Sequence, residues 1–378
     1  MLVIITSPAA IINSLAKPDP AVVKALVDAQ ANGNPVGVVS NHPKPAWFDA
    51  AFAGTNVTYV HHEGRQNGEV IKQISAGLGK PTHDILVLAA KAEDIQMAKN
   101  GGAVLIAAGW SGDRQVKALG IKINDPSEIQ EVIALTDGWQ GHWWYEANAA
   151  AYSARALMDL SGYGKDDAQV IFAAKLTNTV KKGGNHLTAL LIVTARSLLI
   201  EKVADKENLF WGVYPSSKSA NNDSEVLSDF THRLRTTVSR VHFARANKPL
   251  LIRHAPSNKR SANKGGDRTD PTDQITTLHL NPAYKKNIRG RNVVLIDDCT
   301  TYGLSFGVAA ALLRKAGANS VLCVALGKFG NTINYFEIEI LTDPFSPIPA
   351  NGFKVKKLQP MTGKSDNTAQ AILKKLIH

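Results

Sequence analysis

The stretch of sequence that most constrains the fold is RNVVLIDDCTTYGLSFGVAAALLRKAGA, residues 291–318. It predicts an apolar strand ending in two adjacent carboxylates, Asp297 and Asp298, then a loop of small and hydroxylated residues, and then a helix. A strand, tight loop and helix direct the N–H groups of the helix start towards a phosphate. Because ionised carboxylates are costly to bury unpaired, Asp297 and Asp298 are better explained as ligands for hydroxyl groups or a metal. The pattern therefore predicts a site for a phosphorylated sugar.

This strand, Asp-Asp pair and loop resemble the phosphoribosyl-pyrophosphate (PRPP) signature of type I phosphoribosyltransferases. The resemblance implies that Asp297 and Asp298 are catalytic: they hold the ribose hydroxyls and stabilise positive charge on the sugar. The sequence departs from the family at Tyr302, where a second threonine is usual and where a tyrosine crowds the pocket. The alternative is an ordinary strand and helix whose loop carries Asp-Asp. The implied loop for the 5′-phosphate consists of Thr300, Thr301, Tyr302, Gly303, Leu304 and Ser305.

The second half of the chain, residues 150–335, alternates between predicted helices and strands. Such alternation favours a parallel α/β sheet with ligands at the carboxyl ends of its strands. Residues 147–160 show helical periodicity, so we expect a helix there. The predicted strands are residues 208–215, 248–254, 292–298 and 319–328.

A second polar loop follows the predicted strand 208–215. Its residues Ser216, Ser217 and Lys218 offer amides, hydroxyls and a positive charge, which suit a pyrophosphate. In the phosphoribosyltransferase family the corresponding loop binds the leaving pyrophosphate, and a plain surface turn is the alternative.

The segment from His254 to Leu280 is polar, basic and glycine-containing, and loops of this length in a compact domain are usually functional. It resembles the flexible hood that closes over PRPP in the family, and the order of residues around it is most similar to the ComF-like branch. Closure excludes water, which competes for a sugar cation. The residues expected to cover the pyrophosphate are Lys259, Arg260, Lys264 and Arg268.

The reaction implied by this resemblance is displacement of pyrophosphate from C1 of PRPP by a nitrogen nucleophile, whose identity the sequence leaves unknown. Magnesium is the implied cofactor; it arrives with PRPP and is not held by the protein alone, because it keeps several waters. Two alternatives stay open. One is a regulator that binds PRPP or a nucleotide without turnover. The other, less favoured, is a nucleic-acid-associated module.

The nucleic-acid alternative depends on the uneven charge of the chain, which is +11 overall. Residues 1–133 hold eleven Lys and Arg against twelve Asp and Glu, whereas residues 232–268 hold ten cations against Asp267 alone. A field of that sign attracts polyphosphates or nucleic acid. A solvated basic face is the plainer interpretation.

The first half of the chain resembles a haloacid-dehalogenase (HAD) phosphatase with almost no cap. That chemistry needs two aspartates at the end of the first strand, where this chain has Thr6 and Pro8, and an acidic pair in its fourth motif, where Ala90 takes the first place. Without the nucleophile no aspartyl-phosphate can form, so the resemblance implies a pseudo-phosphatase. An unrelated Rossmann-like domain is the alternative. The remnant of the site consists of Thr6, Ser40, Lys80 and Asp94.

The sequence thus predicts two Rossmann-like parallel-sheet domains, a capless HAD-like domain followed by a type I phosphoribosyltransferase-like domain. The expected boundaries are 1–133, an aromatic linker at 134–149, 150–335, and a C-terminal extension at 336–378. Two cysteines without metal spacing favour a reducing cytoplasm. The longest apolar run, residues 187–200, is broken by Arg196 and too short to span a bilayer, so no membrane is expected. A homo-oligomer stays open.

Overall fold

The computed structural model describes residues 1–184, 186–239, 248–257 and 267–377 of the chain. The strands are β1 (Val3–Thr6), β2 (Val36–Ser40), β3 (Thr58–His61), β4 (Ile85–Ala89), β5 (Val104–Ala108), β6 (Ile121–Ile123), β7 (Tyr145–Asn148), β8 (Ser153–Asp159), β9 (Leu209–Val213), β10 (Leu251–Arg253), β11 (Leu278–Leu280), β12 (Asn292–Thr300), β13 (Ser320–Lys328), β14 (Asn334–Ile340), β15 (Phe353–Pro360) and β16 (Gly363–Ser365). The α-helices are α1 (Pro8–Ile11), α2 (Pro20–Ala31), α3 (Phe48–Ala51), α4 (Glu69–Leu78), α5 (Ala92–Gly101), α6 (Arg114–Ala118), α7 (Glu128–Gly138), α8 (Asp167–Lys182), α9 (Leu187–Ile200), α10 (Val226–Val238), α11 (Thr272–Ile275), α12 (Leu304–Lys315) and α13 (Asn367–Leu376).

Several helices begin at residues whose side chains satisfy the free N–H groups of a first turn. Asp19 accepts a hydrogen bond from the N–H of Ala21, with Pro20 in the first helical position of α2. The Asp166 carboxylate accepts from the N–H of Gln169 at 2.7 Å, where α8 begins. These are the residue types preferred at helix starts, because their oxygens replace the missing helical acceptors.

The first compact unit comprises Met1–Gly141, Thr188–Ala204 and the end of α10 from Arg233. Its six strands are all parallel, in the order β3-β2-β1-β4-β5-β6, with buried residues of β1, β4 and β5 packing against α5 in the core. This is the strand order of Rossmann-like folds. The order reverses between β1 and β4, so the crevice outside their carboxyl ends is where such a sheet would bind a ligand.

The second compact unit holds most of the remaining chain and is built on a mixed sheet in the order β16-β7-β8-β13-β12-β9. Strands β8, β13, β12 and β9 run parallel, whereas β7 and β16 are antiparallel additions at one edge. Ile296 of β12 pairs with Val213 of β9, and Thr300 pairs with Lys328 of β13. The segments that follow these three strands therefore emerge at the same edge of the sheet.

Two small antiparallel sheets complete the second unit. Strands β10 and β11 form a separate pair, with Arg253 opposite Leu278. The predicted strand 248–254 is thus shorter and does not join the main sheet. Strands β14 and β15 form the other pair, and β16 joins the edge strand β7. The expected C-terminal extension is therefore integrated into the second unit.

The helix expected for residues 147–160 is wrong, because this segment forms the end of β7 and the whole of β8. The alanine-rich composition favours a helix locally, but β8 is sandwiched between β7 and β13 and nearly all of it is buried. Strands buried on both faces have continuous apolar runs that resemble buried helices in sequence. The boundaries also differ from those expected, since α9 packs almost entirely with the first unit.

Across the part of the chain that the structure describes, no single helix is long and apolar enough to cross a membrane. Helices α8 and α9 meet the length and composition requirements only when they are combined as a bent pair.

Candidate functional site

A cavity of about 790 Å³ lies at the carboxyl ends of β9 and β12 in the second unit. Its walls include residues 214–217 after β9, residues 297–302 at the end of β12, and the first turn of α12. The structure thus gathers both polar loops that the sequence predicted to bind one ligand. Ligands of open parallel sheets bind in this position.

The two adjacent carboxylates at the end of β12 have different environments. Asp297 is only 6% exposed, and its side chain accepts hydrogen bonds from the Ser305 hydroxyl at 2.7 Å and from the N–H of Asp298 at 2.9 Å. Burial, together with the charge of Asp298, raises the pKa of the Asp297 carboxyl well above its ordinary value. Asp298 is half-buried, and its carboxylate accepts a hydrogen bond from the N–H of Cys299 at 2.6 Å. Asp298 is therefore the more available of the two for a ligand.

The loop expected to bind the 5′-phosphate leads directly into α12. Gly303 is the residue before the helix, with φ of 78°, and no side chain caps the helix start. A Cβ atom at this position would lie 2.8 Å from Cγ1 of Ile333, so glycine is required for both conformation and space. The Thr300 hydroxyl accepts from the N–H of Gly303 at 3.1 Å and holds the turn. No side chain among the described residues caps these N–H groups, which lie next to the half-buried Thr301 and could donate to an anion.

The loop expected to bind pyrophosphate has its carbonyl groups tied to the protein. The carbonyl oxygen of Ser217 accepts from the N–H of Ser257 at 3.0 Å, and the carbonyl of Ser216 accepts from Arg253 at 2.7 Å. The N–H groups of Ser217 and Lys218, by contrast, make no hydrogen bond to any described residue. Fixed carbonyls and free amides are the arrangement of an anion-binding backbone nest.

Arg253 organises this loop from β10. Its side chain is buried and donates to the carbonyl oxygens of Pro215 and Ser216, to the Thr277 hydroxyl at 2.8 Å and to the Gln274 side-chain oxygen at 3.1 Å. All of these acceptors are neutral, and no carboxylate among the described residues forms a salt bridge with the Arg253 guanidinium. A buried charge without a counter-ion is costly, and a phosphate in the adjacent cavity would lower that cost.

Three further charged side chains line the cavity: Lys181 at the end of α8, Glu225 before α10, and Arg268. The Glu225 carboxylate contacts the Ser216 hydroxyl at 3.2 Å and the Ser216 N–H at 3.4 Å. It therefore occupies part of the position expected for an anion. Of the residues expected in the hood, Arg268 lines the cavity, whereas Lys259, Arg260 and Lys264 lie outside the described residues. Lys218 is exposed and does not line the cavity.

In the first unit, three of the expected remnant residues lie at the carboxyl ends of the sheet. Thr6 is fully buried, and its hydroxyl donates to the Leu88 carbonyl oxygen; the Ser40 hydroxyl accepts from the N–H of His42. Asp94 is fully buried and accepts from the Ser7 hydroxyl and two backbone N–H groups, and it forms a salt bridge with Arg65. Its carboxylate is thus occupied by protein partners and caps α5 instead of facing a metal.

Lys80 does not join this cluster. It lies between the end of α4 and the start of β4, beside the amino ends of the strands, where its N–H donates to the Ser75 carbonyl. Thr6 and Ser40 end their strands at the opposite edge, because β4 runs parallel to β1 and β2. The cation that contacts Asp94 is Arg65, which the sequence did not indicate.

The sequence did not indicate that Lys181, Glu225 and the side chain of Arg253 line this cavity of the second unit. Their contacts join residues far apart in the chain, so no local pattern indicates them. Comparisons with models of protein families, with curated proteins and with solved structures find no match to this chain.

Proposed function

We propose that the second unit is a magnesium-dependent phosphoribosyltransferase, similar to the type I ComF-like branch, which transfers the 5-phosphoribosyl group of PRPP to a nitrogen acceptor. One observation carries the proposal: a single cavity brings together the Asp297-Asp298 pair, an uncapped helix start and Ser217, whose N–H group makes no hydrogen bond to any described residue. These three features match the three parts of PRPP, namely its ribose hydroxyls, its 5′-phosphate and its pyrophosphate. The fit is chemical, because carboxylates accept hydrogen bonds from hydroxyl groups, and backbone N–H groups donate to phosphates.

In the proposed reaction the acceptor nitrogen forms a bond to C1 of the ribose. The bond from C1 to the pyrophosphate oxygen breaks, pyrophosphate leaves with the electron pair, and the nitrogen releases its proton. Positive charge develops on the sugar ring in the transition state, and the nearby Asp298 carboxylate would stabilise it. The N–H groups of Ser217 and Lys218 would hold the leaving pyrophosphate, and Lys181 and Arg268 would add positive charge.

Magnesium fits the donor set of this cavity. Asp298 presents hard carboxylate oxygens, which are the ligands that magnesium prefers, and a nearby cation would relieve the cost of ionising the buried Asp297. We infer that Asp298 would hold the ion jointly with oxygens of PRPP. When bound, the magnesium ion would neutralise part of the negative charge of the pyrophosphate.

The proposal is tested by adding PRPP with magnesium to the full chain and measuring the thermal midpoint, then measuring pyrophosphate release with a panel of nucleobases and amines. Ligand at about a hundred times its Kd stabilises the native state by about 2.7 kcal/mol. We expect such a shift in the wild type, none in Asp298→Asn, and pyrophosphate release with at least one acceptor. An equal shift in Asp298→Asn would place PRPP elsewhere.

A second function, a regulator that binds PRPP without turnover, is favoured by one contact. The Glu225 carboxylate accepts hydrogen bonds from the N–H and hydroxyl groups of Ser216, so it would compete with pyrophosphate for these two donors. A thermal shift without pyrophosphate release from any acceptor would select this regulator over the enzyme.

For the first unit we propose a HAD-like domain without phosphatase activity. The support is the environment of Asp94, whose carboxylate is fully buried and bonded to Ser7 and Arg65. Such a carboxylate cannot hold magnesium without breaking its contacts. We expect no magnesium-dependent hydrolysis of phosphomonoesters, and turnover that disappears in Asp94→Ala would contradict the proposal.

A further inference from the structure

A second groove, of about 390 Å³, adjoins the candidate site in the second unit. Lys181 and Phe329 line both this groove and the larger cavity, so the two spaces meet at these residues. The proposed PRPP site accounts for the larger cavity, and none of the groups assigned to PRPP lies in the smaller groove except Lys181. The proposed PRPP site therefore leaves the smaller groove without an assigned ligand.

One wall of the groove is a face of α8. The side chains there are small or apolar and lie three or four residues apart, which places them on one side of the helix. Leu160 and Gly162 form the facing wall. Val170 is 41% exposed, so this apolar wall is open to solvent, and the small side chains leave space for a flat molecule. The helix contributes Val170, Ala173, Ala174, Thr177 and Asn178.

Phe329 is fixed at the junction of the two spaces. Its N–H donates to the carbonyl oxygen of Thr300 at 2.9 Å, which ties it to the loop expected to bind the 5′-phosphate. Its carbonyl oxygen accepts from the ammonium group of the buried Lys328 at 3.3 Å. These contacts fix the backbone of Phe329, and its aromatic ring gives a planar molecule a surface to pack against. The occupant of the groove would thus lie next to the sugar.

The groove also carries positive charge. Lys181 and Lys182 both line it, and no acidic side chain among the described residues does. An apolar groove lined by two cations complements a molecule with a flat apolar body and an anionic group.

We propose that this groove binds the nitrogen acceptor, and that the acceptor is a small planar aromatic amine or heterocycle carrying a carboxylate. This inference rests on the proposed phosphoribosyl transfer and names its substrate class. The amine end would face Phe329 and the C1 atom of the sugar, and the carboxylate would face Lys182.

The first test fills the groove. Ala174 is exposed on α8, so Ala174→Trp should fold normally while it blocks the groove. The matched control is Ile171→Trp, at a position 67% exposed on the same helix and outside the groove. Binding of anthranilate to the full chain is measured by ligand-observed NMR, with aniline as the uncharged analogue. We expect anthranilate to bind the wild type and Ile171→Trp, and to bind Ala174→Trp at least about tenfold more weakly.

The second test concerns charge. Lys182→Glu reverses one charge of the groove without touching the larger cavity, and the exposed Lys206→Glu is its control. We expect Lys182→Glu to weaken anthranilate binding while aniline binding is unchanged, and Lys206→Glu to change neither.

The thermal shift with PRPP and magnesium, measured on the same variants, separates this inference from the proposed function. If PRPP binds but anthranilate does not, or if Ala174→Trp binds anthranilate as the wild type does, the groove is not the acceptor site. If anthranilate binds in the groove but no pyrophosphate is released with any aromatic amine that carries a carboxylate, these compounds are not phosphoribosyl acceptors. The assignment of the groove as the acceptor site is then wrong.

Discussion

The Nε atom of Arg253 lies 2.7 Å from the carbonyl oxygen of Ser216, in a loop 37 residues earlier in the chain. Through this bond and its contact with the Pro215 carbonyl, the guanidinium turns two carbonyl groups inward. The amides that follow, those of Ser217 and Lys218, are left without acceptors among the described residues. Arg253 thus acts as a positioning residue: it shapes the anion-binding backbone from behind the loop.

The first prediction tests this role with Arg253→Lys. An ammonium group keeps the charge but cannot reproduce the planar fork that reaches Pro215, Ser216, Thr277 and Gln274 together. We expect pyrophosphate to bind at least about tenfold more weakly, which corresponds to about 1.4 kcal/mol. Ribose 5-phosphate, which does not need this loop, should bind with unchanged affinity. Calorimetric titration with both ligands measures the difference.

The exposed Arg289→Lys is the control for Arg253→Lys, because Arg289 does not line the cavity. Equal losses of affinity for pyrophosphate and ribose 5-phosphate would mean that Arg253 supports the whole fold of the unit and does not specifically position the loop.

The second prediction concerns Glu225→Gln. The amide side chain keeps the contact with Ser216 but removes the negative charge that competes with pyrophosphate. We expect pyrophosphate to bind about fivefold more tightly, equivalent to about 1 kcal/mol for charges near solvent, and the gain to shrink with added salt. Titrations at low and high salt check this, with the exposed Glu207→Gln as control. Weaker binding would instead make Glu225 a ligand for the magnesium that accompanies the anion.

The third prediction is that Asp297→Asn separates stability from ligand binding. Burial and the neighbouring Asp298 raise the pKa of Asp297, so the folded protein binds a proton more tightly than the unfolded chain does. Ionisation of Asp297 therefore lowers the free energy of unfolding, and this loss grows as pH rises above the pKa that Asp297 has in the unfolded chain. At neutral pH we expect a higher thermal midpoint for Asp297→Asn and a smaller shift with PRPP and magnesium. A lower midpoint would show that the carboxylate is needed by the fold.

Many of the strands and the Asp297-Asp298 loop were predictable from the sequence. These are the segments in which the local residue pattern and the tertiary environment favour the same structure. The apolar runs that form β4 and β12 are flanked by polar loops, and the Asp297-Asp298 loop stands out because carboxylates follow a buried strand. Strand β8 was not predicted because its alanine-rich run fits a buried helix equally well. Only its pairing with β7 and β13 decides between a helix and a strand. The roles of Arg253 and Glu225 depend on contacts between distant segments, which leave no periodic signal.

The fourth prediction concerns the buried pair Arg65 and Asp94 in the first unit. Arg65→Met leaves the Asp94 carboxylate buried with its charge uncompensated, which typically costs about 3–5 kcal/mol. The control is Lys72→Met, which removes the exposed partner of Glu69 and should cost no more than about 1 kcal/mol. Urea unfolding of the full chain measures both. Similar values for the two variants would mean that the Arg65 pair does not stabilise the unit.

The fifth prediction concerns Lys99 on α5, whose ammonium group is buried and has no hydrogen-bond partner among the described residues. Burial, with a smaller contribution from Arg235, lowers the pKa of Lys99 to about 8. Between about pH 8 and the ordinary lysine pKa, Lys99 keeps its proton in the unfolded chain but has lost it in the folded chain. The contribution of Lys99 to the free energy of unfolding therefore rises with pH in that range. Below pH 8 the charged side chain costs the folded state up to roughly 3 kcal/mol.

Lys99→Met removes this penalty while it keeps a long apolar side chain in the same space. We expect the variant to be more stable than the wild type at pH 7, and the difference to shrink steadily as pH rises to 10. Urea unfolding at pH 7, 8, 9 and 10 gives the free energies of unfolding, with the exposed Lys117→Met as control for loss of a charge. The control should show no such pH trend. A difference between Lys99→Met and wild type that is constant with pH would mean that Lys99 stays protonated when buried, held by an anion or by water that offsets its desolvation.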